Sequence, residues 1–265
     1  MRAHLVQMTI AWEDHEANFR RVDGLLRGVG VARGDLVLLP EMFSSGFSLN
    51  TGATADRDGV VLAYLRGLAT RLGAWVQGGR TVLGDGAEKA TNEAPAFDPT
   101  GRLVCSYVKI HPFSFGREPE RFVGGGDVMT YGWGGGSGDG SGEAAMTVCP
   151  AICYDLRFPE LFRRGLAIGA ECFAIGANWP DARQAHWRAL LVARAIENQA
   201  VVLGVNRTGS DPHLSYAGGS IAVGARGEVL GELGDEEAVL SVAIEGAAVR
   251  EWRETFPAWR DVRLK

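Results

Sequence analysis

Three apolar stretches of this chain each finish on a side chain able to do chemistry: "LVLLPE" on Glu41, "CSYVK" on Lys109 and "VCPAIC" on Cys153. A carboxylate, an ammonium and a thiol are together the parts of an acyl-transfer site. A free thiol ionises near ~8.5, so only a small fraction is nucleophilic at neutral pH, and a neighbouring base or cation must activate it. Glu41 can take the proton of Cys153 as a carbonyl is attacked and later return it to departing ammonia. For that role its pKa is expected above the ~4.3 of free glutamate, raised by burial among apolar strands. Lys109 would face the oxyanion of the tetrahedral intermediate, with the backbone N–H of Tyr154 as the second donor; such a donor is worth about 3–4 kcal/mol in the transition state. Taken singly, each residue also has an ordinary reading: a small buried hydrophobe for a cysteine, surface charge for Glu41 and Lys109. Cys105, Cys149 and Cys172 are assigned to the ordinary one.

The trio matters because the surrounding pattern can bring it together. Apolar runs of strand length alternate with helix-patterned segments, the signature of an α/β layered domain. "HLVQMTI", "LVLLPE", "WVQGGRTVL", "AMTVCPAIC", "ECFAIGAN" and "VVLGVNR" read as strands. "EAPAFDPTGRLVCSYVKIH" reads as two strands reversed at Asp98–Gly101, and the segment from Ser220 to Ile244 as antiparallel strands. Helices are expected around Val22–Leu26, around Leu62–Leu72, from Pro159 onward, and along "DARQAHWRALLVARAIENQA". Strand ends of a layered sheet share an edge, and ligand sites favour that edge. The glycine-rich "YGWGGGSGDGSGE" (131 to 143) lacks the following helix of a phosphate loop and is expected to be a surface loop.

These motifs resemble the carbon–nitrogen hydrolases of the nitrilase superfamily. The likeness is carried by "LLPEMFSSGF", "YVKIHPF" and "ICYDLRFPELFR", and continues through "GANWP", "HWRALLVARAIENQ" and "NRTGSD". It implies one domain over residues 1–265 with a four-layer α-β-β-α sandwich, a dimer, no metal and no organic cofactor. It also implies a Glu41–Lys109–Cys153 triad, supported by a second glutamate for which Glu118 fits better than Glu120. Within the superfamily the motifs are most similar to the ω-amidases, which hydrolyse the terminal amide of 2-oxoglutaramate and 2-oxosuccinamate; deaminated-glutathione amidase is the sibling reading. A substrate carboxylate needs a cation, and Arg183, beside Trp179, or Arg207 is the expected partner, whereas Arg157 is expected in a structural ion pair.

Two other classes compete. A non-catalytic binding module of the same fold would be marked by loss of a triad residue, and none is lost. A Cys-His thiol hydrolase would need His111 or His186 beside Cys153. A catalytic metal is disfavoured by the lack of short-range histidine and cysteine ligand spacing. The net charge of −5 over 265 residues gives no attraction for nucleic acid or anionic lipid. No apolar run reaches the ~20 residues of a membrane span, and the N-terminus does not read as a signal peptide, so a cytoplasmic location with reduced thiols is expected. The aromatic-rich tail, residues 247 to 265, is expected to dock on the body or on a dimer partner.

Overall fold

The computed structural model describes residues 1–134 and 145–263. Its strands, in chain order, are β1 (Arg2–Gln7), β2 (Leu36–Leu38), β3 (Trp75–Gln77), β4 (Arg80–Val82), β5 (Thr91–Phe97), β6 (Leu103–Val108), β7 (Tyr131–Trp133), β8 (Met146–Ile152), β9 (Cys172–Ala177), β10 (Val201–Asn206), β11 (Thr208–Ser210), β12 (Ser215–Ala217), β13 (Ile221–Val223), β14 (Val229–Glu232) and β15 (Ala238–Ala243). The helices are α1 (His15–Leu26), α2 (Thr51–Thr54), α3 (Val60–Leu72), α4 (Pro159–Ala167), α5 (Gln184–Asn198) and α6 (Gly246–Thr255). One sheet runs β15-β1-β2-β3-β5-β4, with β6 on the free side of β5; the other runs β14-β13-β10-β9-β8-β7.

The centre of each sheet is parallel: β1-β2-β3 in the first, β8-β9-β10 in the second. These strands are buried on both faces, which explains their almost unbroken apolar runs. Alternation sorts the side chains into layers. Val6, Val37 and Val76 turn outward onto Phe19, Val22 and Leu26 of α1 and Leu65 and Leu68 of α3. Ala3, Leu5, Leu36 and Leu38 turn inward into a core shared with the second sheet, whose far side carries Leu161 and Phe162 of α4 and Trp187 and Leu191 of α5. The result is an α-β-β-α sandwich, as the family resemblance implied; the alternating pattern on its own implied a layered α/β domain.

Local chemistry sets the helix ends. Asp14 caps α1 by accepting from the Ala17 amide at 2.9 Å. Pro159 opens α4 at its first turn, where the missing N–H is harmless. Along α6, Val249 is buried and Arg253 donates to the carbonyls of Ala170, Asn198 and Gln199. The Trp259 amide reaches Gln199 Oε1 at 3.0 Å.

Two expectations need correction. "WVQGGRTVL" is two strands rather than one, broken at Gly78–Gly79. The break exists because a Cβ at Gly79 would strike the Met42 amide and stand 2.8 Å from Glu41 Cα. Across the sandwich, a Cβ at Gly176 of β9 would lie 2.9 Å from the Leu39 carbonyl and 3.0 Å from the Glu41 amide. Glu41 therefore passes between two bare backbones. Within the glycine-rich segment, Tyr131–Trp133 is not loop but strand, paired antiparallel with β8 through buried Tyr131 and Trp133; the rest of that segment, from 135, lies outside the described residues.

The sandwiched turn predicts an asymmetry between two glycine substitutions. Gly79→Ala should destabilise by about 1–3 kcal/mol through overpacking. Gly67→Ala, in α3 with open space around its Cβ, should stabilise by up to about 1 kcal/mol. Chemical denaturation of both variants reads the difference.

Candidate active site

Four strands of the two sheets deliver the site from one edge. In the first sheet, β5 is antiparallel to β3 and β6 antiparallel to β5, so β6 points the same way as β2. Lys109 follows β6 directly, Glu41 lies three residues past β2, Cys153 follows β8 and Asn178 follows β9.

Cys153 turns the chain from strand into a short 3-10 helix, Cys153–Arg157, with φ of +44°. That left-handed conformation costs a non-glycine residue about 1–3 kcal/mol and persists only where its surroundings impose it. Asp155 and Arg194 do the imposing. Asp155, fully buried, accepts from the Ile152 amide at 3.1 Å, the Tyr107 hydroxyl at 2.7 Å and the His111 amide at 3.0 Å. Arg194 of α5 grips the Leu156 carbonyl through Nε at 3.1 Å and an Nη at 2.8 Å. Asp155 thus ties the turn bearing the sulfur to the segment bearing the lysine. The Tyr154 N–H, in the first turn of this helix, has no intrahelical acceptor and can serve a developing oxyanion.

Beneath the sulfur is a buried ionic cluster. Lys109 Nζ donates to Glu41 Oε1 and to Glu118 Oε2, each at 2.8 Å, and all three side chains are at most 1% exposed. Asn92 Nδ2 bridges the same two carboxylates, at 2.8 Å to Glu41 Oε1 and 3.0 Å to Glu118 Oε1. Glu41 Oε2 accepts from the Asn178 amide at 3.0 Å, and Asn178 Nδ2 binds the Glu41 carbonyl at 2.7 Å. Glu118 also accepts from the Phe113 amide. Glu120 is on the surface with Arg117, so Glu118 is the glutamate that joins the cluster.

This cluster reverses the expected pKa of Glu41. Burial does push the carboxyl up, but Lys109 and the amide donors of Asn178 and Asn92 outweigh it and hold it below the usual carboxylate range. For Lys109, burial alone would lower the ammonium, and the two glutamates, Glu118 first, carry it well above the ordinary lysine value. Burial and then the negative charge of Glu41 push the Cys153 thiol far up, against the pull of Lys109. At rest the sulfur is therefore a neutral thiol beside an ionised carboxylate. The other cysteines are plain buried thiols: burial lifts Cys105 to about 11 and Cys149 to about 12, and Cys172 is raised further.

Cys153 lies at the base of a cavity of about 580 Å³ walled by Tyr154, Trp179, Phe113 and Tyr216. Trp179 is 2% exposed and donates its indole N–H to the Arg183 carbonyl at 2.9 Å. Arg183 lies over Phe113 and Phe115, at 5.6 and 5.9 Å from the ring centres. Arg157, expected in a structural ion pair, has no carboxylate partner among the described residues. Its guanidinium lies 4.7 Å from the Trp179 ring centre and faces the cavity, because its neighbour Asp155 points inward to Tyr107 and His111. Arg207 is the structural one: fully buried behind the cavity, it donates to the Ile10 and Ser210 carbonyls and stacks on Tyr216 at 4.2 Å. His111 is turned to Asp155 and stacked on Phe158 at 3.8 Å, and His186 lies beside Arg157. Neither histidine reaches the sulfur, which leaves a Cys-His site without its base.

Three residues were missed by sequence reasoning. Asn178 was legible, since "ECFAIGAN" is a fourth apolar run closing on a polar group. Asn92 and Asp155 carried only a weak signal, a polar residue inside or just after a strand.

The carbon–nitrogen hydrolase family pattern matches residues 2–254. An omega-amidase of Escherichia coli is 33% identical over 263 residues, covering 98% of this chain and 96% of its own. A 2-oxoglutaramate amidase of Paenarthrobacter nicotinovorans is 34% identical over 94% of this chain and 84% of its own. Among solved structures, a CN-hydrolase superfamily protein of Xanthomonas campestris, with an arsenic adduct in its active site, aligns with a TM-score of 0.89 at 35% identity, covering 100% of this chain and 98% of its own. The chain belongs to the carbon–nitrogen hydrolase family, enzymes built on the sandwich described above.

The cluster makes acid stability a direct readout. Glu41 has a folded pKa below its unfolded one, so its contribution is complete above the ordinary carboxylate range and is lost as pH falls through the folded value. Lys109→Met, which leaves two buried carboxylates facing each other, should cost about 3–5 kcal/mol near neutral pH and reverse that acid dependence, because burial and like charge then raise the carboxyls so that stability is regained as pH falls. Thermal unfolding followed from pH 3 to 8 checks both.

Proposed function

We propose that this protein is an amidase that hydrolyses the terminal amide of a small ω-monoamide of a dicarboxylic keto acid, 2-oxoglutaramate or 2-oxosuccinamate, to the acid and ammonia. The observation that carries the reading is the meeting of Cys153 with the buried Glu41–Lys109–Glu118 cluster at the floor of one cavity. In this scheme Cys153 Sγ bonds the amide carbon while its proton passes to Glu41, and the carbonyl electrons move onto oxygen. Lys109 and the Tyr154 N–H hold that oxyanion. Glu41 returns the proton to nitrogen, the C–N bond breaks, and ammonia leaves a thioester. Water, deprotonated by Glu41, then attacks the thioester; the C–S bond breaks, Glu41 returns that proton to the Cys153 sulfur, and the acid departs. Glu118 acts by fixing Lys109.

Arg157 and Arg183 are the cavity cations without a carboxylate partner among the described residues, and they supply the anchor for the substrate carboxylate. A second reading, an amidase for deaminated glutathione, is favoured by the same pair: two anchors suit a substrate with a carboxylate at each end. A deaminated glutathione amidase of Yersinia enterocolitica is 32% identical over 86% of this chain and 82% of its own. We place the protein in the cytoplasm, where its four free thiols remain reduced. We also propose a homodimer in which α5 and α6 meet a second copy, since Ile196 and Phe256 leave 53% and 54% of their surface exposed there.

Ammonia release from 2-oxoglutaramate and simple nitriles, set beside release of the cysteinylglycine amine from deaminated glutathione, separates these readings, and inertness toward all three rejects them together. Cys153→Ser should abolish turnover of the preferred substrate. Arg157→Ala should raise KM about tenfold to a hundredfold, the worth of one charge-assisted contact. Light scattering on a chain lacking residues 247 to 265 tests the dimer: a truncated protein that remains an active dimer contradicts it.

A further inference from the structure

The four hydrogen-bonding positions of the Glu41 carboxylate are all occupied at rest. Oε1 accepts from Lys109 Nζ and Asn92 Nδ2, both at 2.8 Å. Oε2 accepts from the Asn178 amide at 3.0 Å and from Asn178 Nδ2 at 3.3 Å. A carboxylate oxygen offers two lone pairs, so no further proton can be received until one donor lets go. The weakest holder is Asn178 Nδ2, whose better bond, 2.7 Å, is to the Glu41 carbonyl. Asn178 also faces the proton's source, since its carbonyl oxygen lies 3.8 Å from Cys153 Sγ.

Both asparagines show the mark of a constrained role. Their Nδ2 groups contact only acceptors, which fixes the orientation of each amide. That orientation leaves Asn92 Oδ1 and Asn178 Oδ1 in the interior without a partner among the described residues. A buried unsatisfied oxygen is unfavourable by more than an ordinary hydrogen bond returns. An apolar or smaller residue at either position would avoid it.

We propose that Asn92 and Asn178 are positioning residues that decide which oxygen of Glu41 receives the Cys153 proton: Asn92 keeps Oε1 locked to Lys109, and Asn178 Nδ2 releases Oε2. As the S–H bond breaks and the S–C bond forms, the proton moves to Oε2 while the Oε1 contacts are retained. The Asn92 bond then exists before and during the transfer, whereas the Asn178 Nδ2 bond exists only before it. The inference rests on the role proposed for Glu41 and Cys153, but not on which amide is the substrate.

The test is the rate of Cys153 alkylation by iodoacetamide as a function of pH, a readout that needs no amide substrate. Its acid limb reports protonation of Glu41. Loss of either donor should move that limb upward by about one pH unit, the value of one hydrogen bond to an ionised group. The plateau distinguishes the two: Asn92→Ala should lower it about tenfold or more, and Asn178→Ala should leave it unchanged or raise it, because its donor is absent from the transition state. Glu120→Gln, on the surface, should leave limb and plateau as in the unmodified protein. Should Asn92→Ala fail to fold, Asn178→Ala and Asn178→Ser must still show the raised limb. A limb that stays at its original position in the folded variants, or a plateau that falls for Asn178→Ala, overturns the proposal. Failure to release ammonia from 2-oxoglutaramate with the limb shifts intact would reject the substrate and leave this inference standing.

Discussion

One ammonium between two carboxylates, in a place water does not reach, is the constraint around which this molecule is arranged. Placing three charges inside a protein is strongly unfavourable unless every one of them is paired and hydrogen-bonded. The fold meets that demand with donors drawn from separated segments: Asn92 from β5, the Asn178 amide beyond β9, and the Phe113 amide beyond β6. Both sheets must therefore be in register before Glu41 has all of its donors, since those of Asn178 come from the second sheet. The glycines at 79 and 176 belong to the same requirement, for they let the Glu41 turn lie between the sheets where a side chain would keep it out.

The electrostatic outcome differs from the simplest picture of an activated cysteine. A lone thiol is activated by a nearby cation, and Lys109 does pull in that direction. Yet the cluster as a whole carries one more negative than positive charge, and burial adds to the penalty on a thiolate. The resting sulfur thus keeps its proton, and the role proposed for Glu41 is to remove it when an electrophile arrives. A neutral thiol is less prone to oxidation than a thiolate, so the arrangement favours a cysteine used for acyl transfer over one used for redox signalling.

Much of this was readable in the sequence, and what was not has a physical reason. Buried parallel strands betray themselves by apolar runs, and a reactive residue closing such a run is conspicuous. That Glu41, Lys109 and Cys153 could meet on one edge was therefore legible in the order of the runs, while their reading as a triad came from the family resemblance. Glu118 over Glu120 rested on similarity to relatives, and burial separates the two unmistakably. The pKa of Glu41 was misjudged because burial was visible in the pattern while the donors were not: Asn92 comes from a partner strand, and the Asn178 amide is a backbone group that any residue would carry. The placements of Arg157, on the cavity wall, and Arg207, buried behind it, were misjudged for a like reason. Whether an arginine turns into a cavity or behind it depends on the loop it leaves, here the tight turn pinned by Asp155, and no spacing rule encodes that.

The positive φ of Cys153 has a consequence for how such a protein can change over time. Glycine or asparagine would be at ease in that backbone, while cysteine is not, so drift at position 153 toward either would relax the turn and make the molecule more robust as it became inert. In the proposed mechanism, selection for the reaction would hold the sulfur in place against the local preference of the chain. A descendant freed from its reaction would be expected to lose this residue early and keep the sandwich long afterwards.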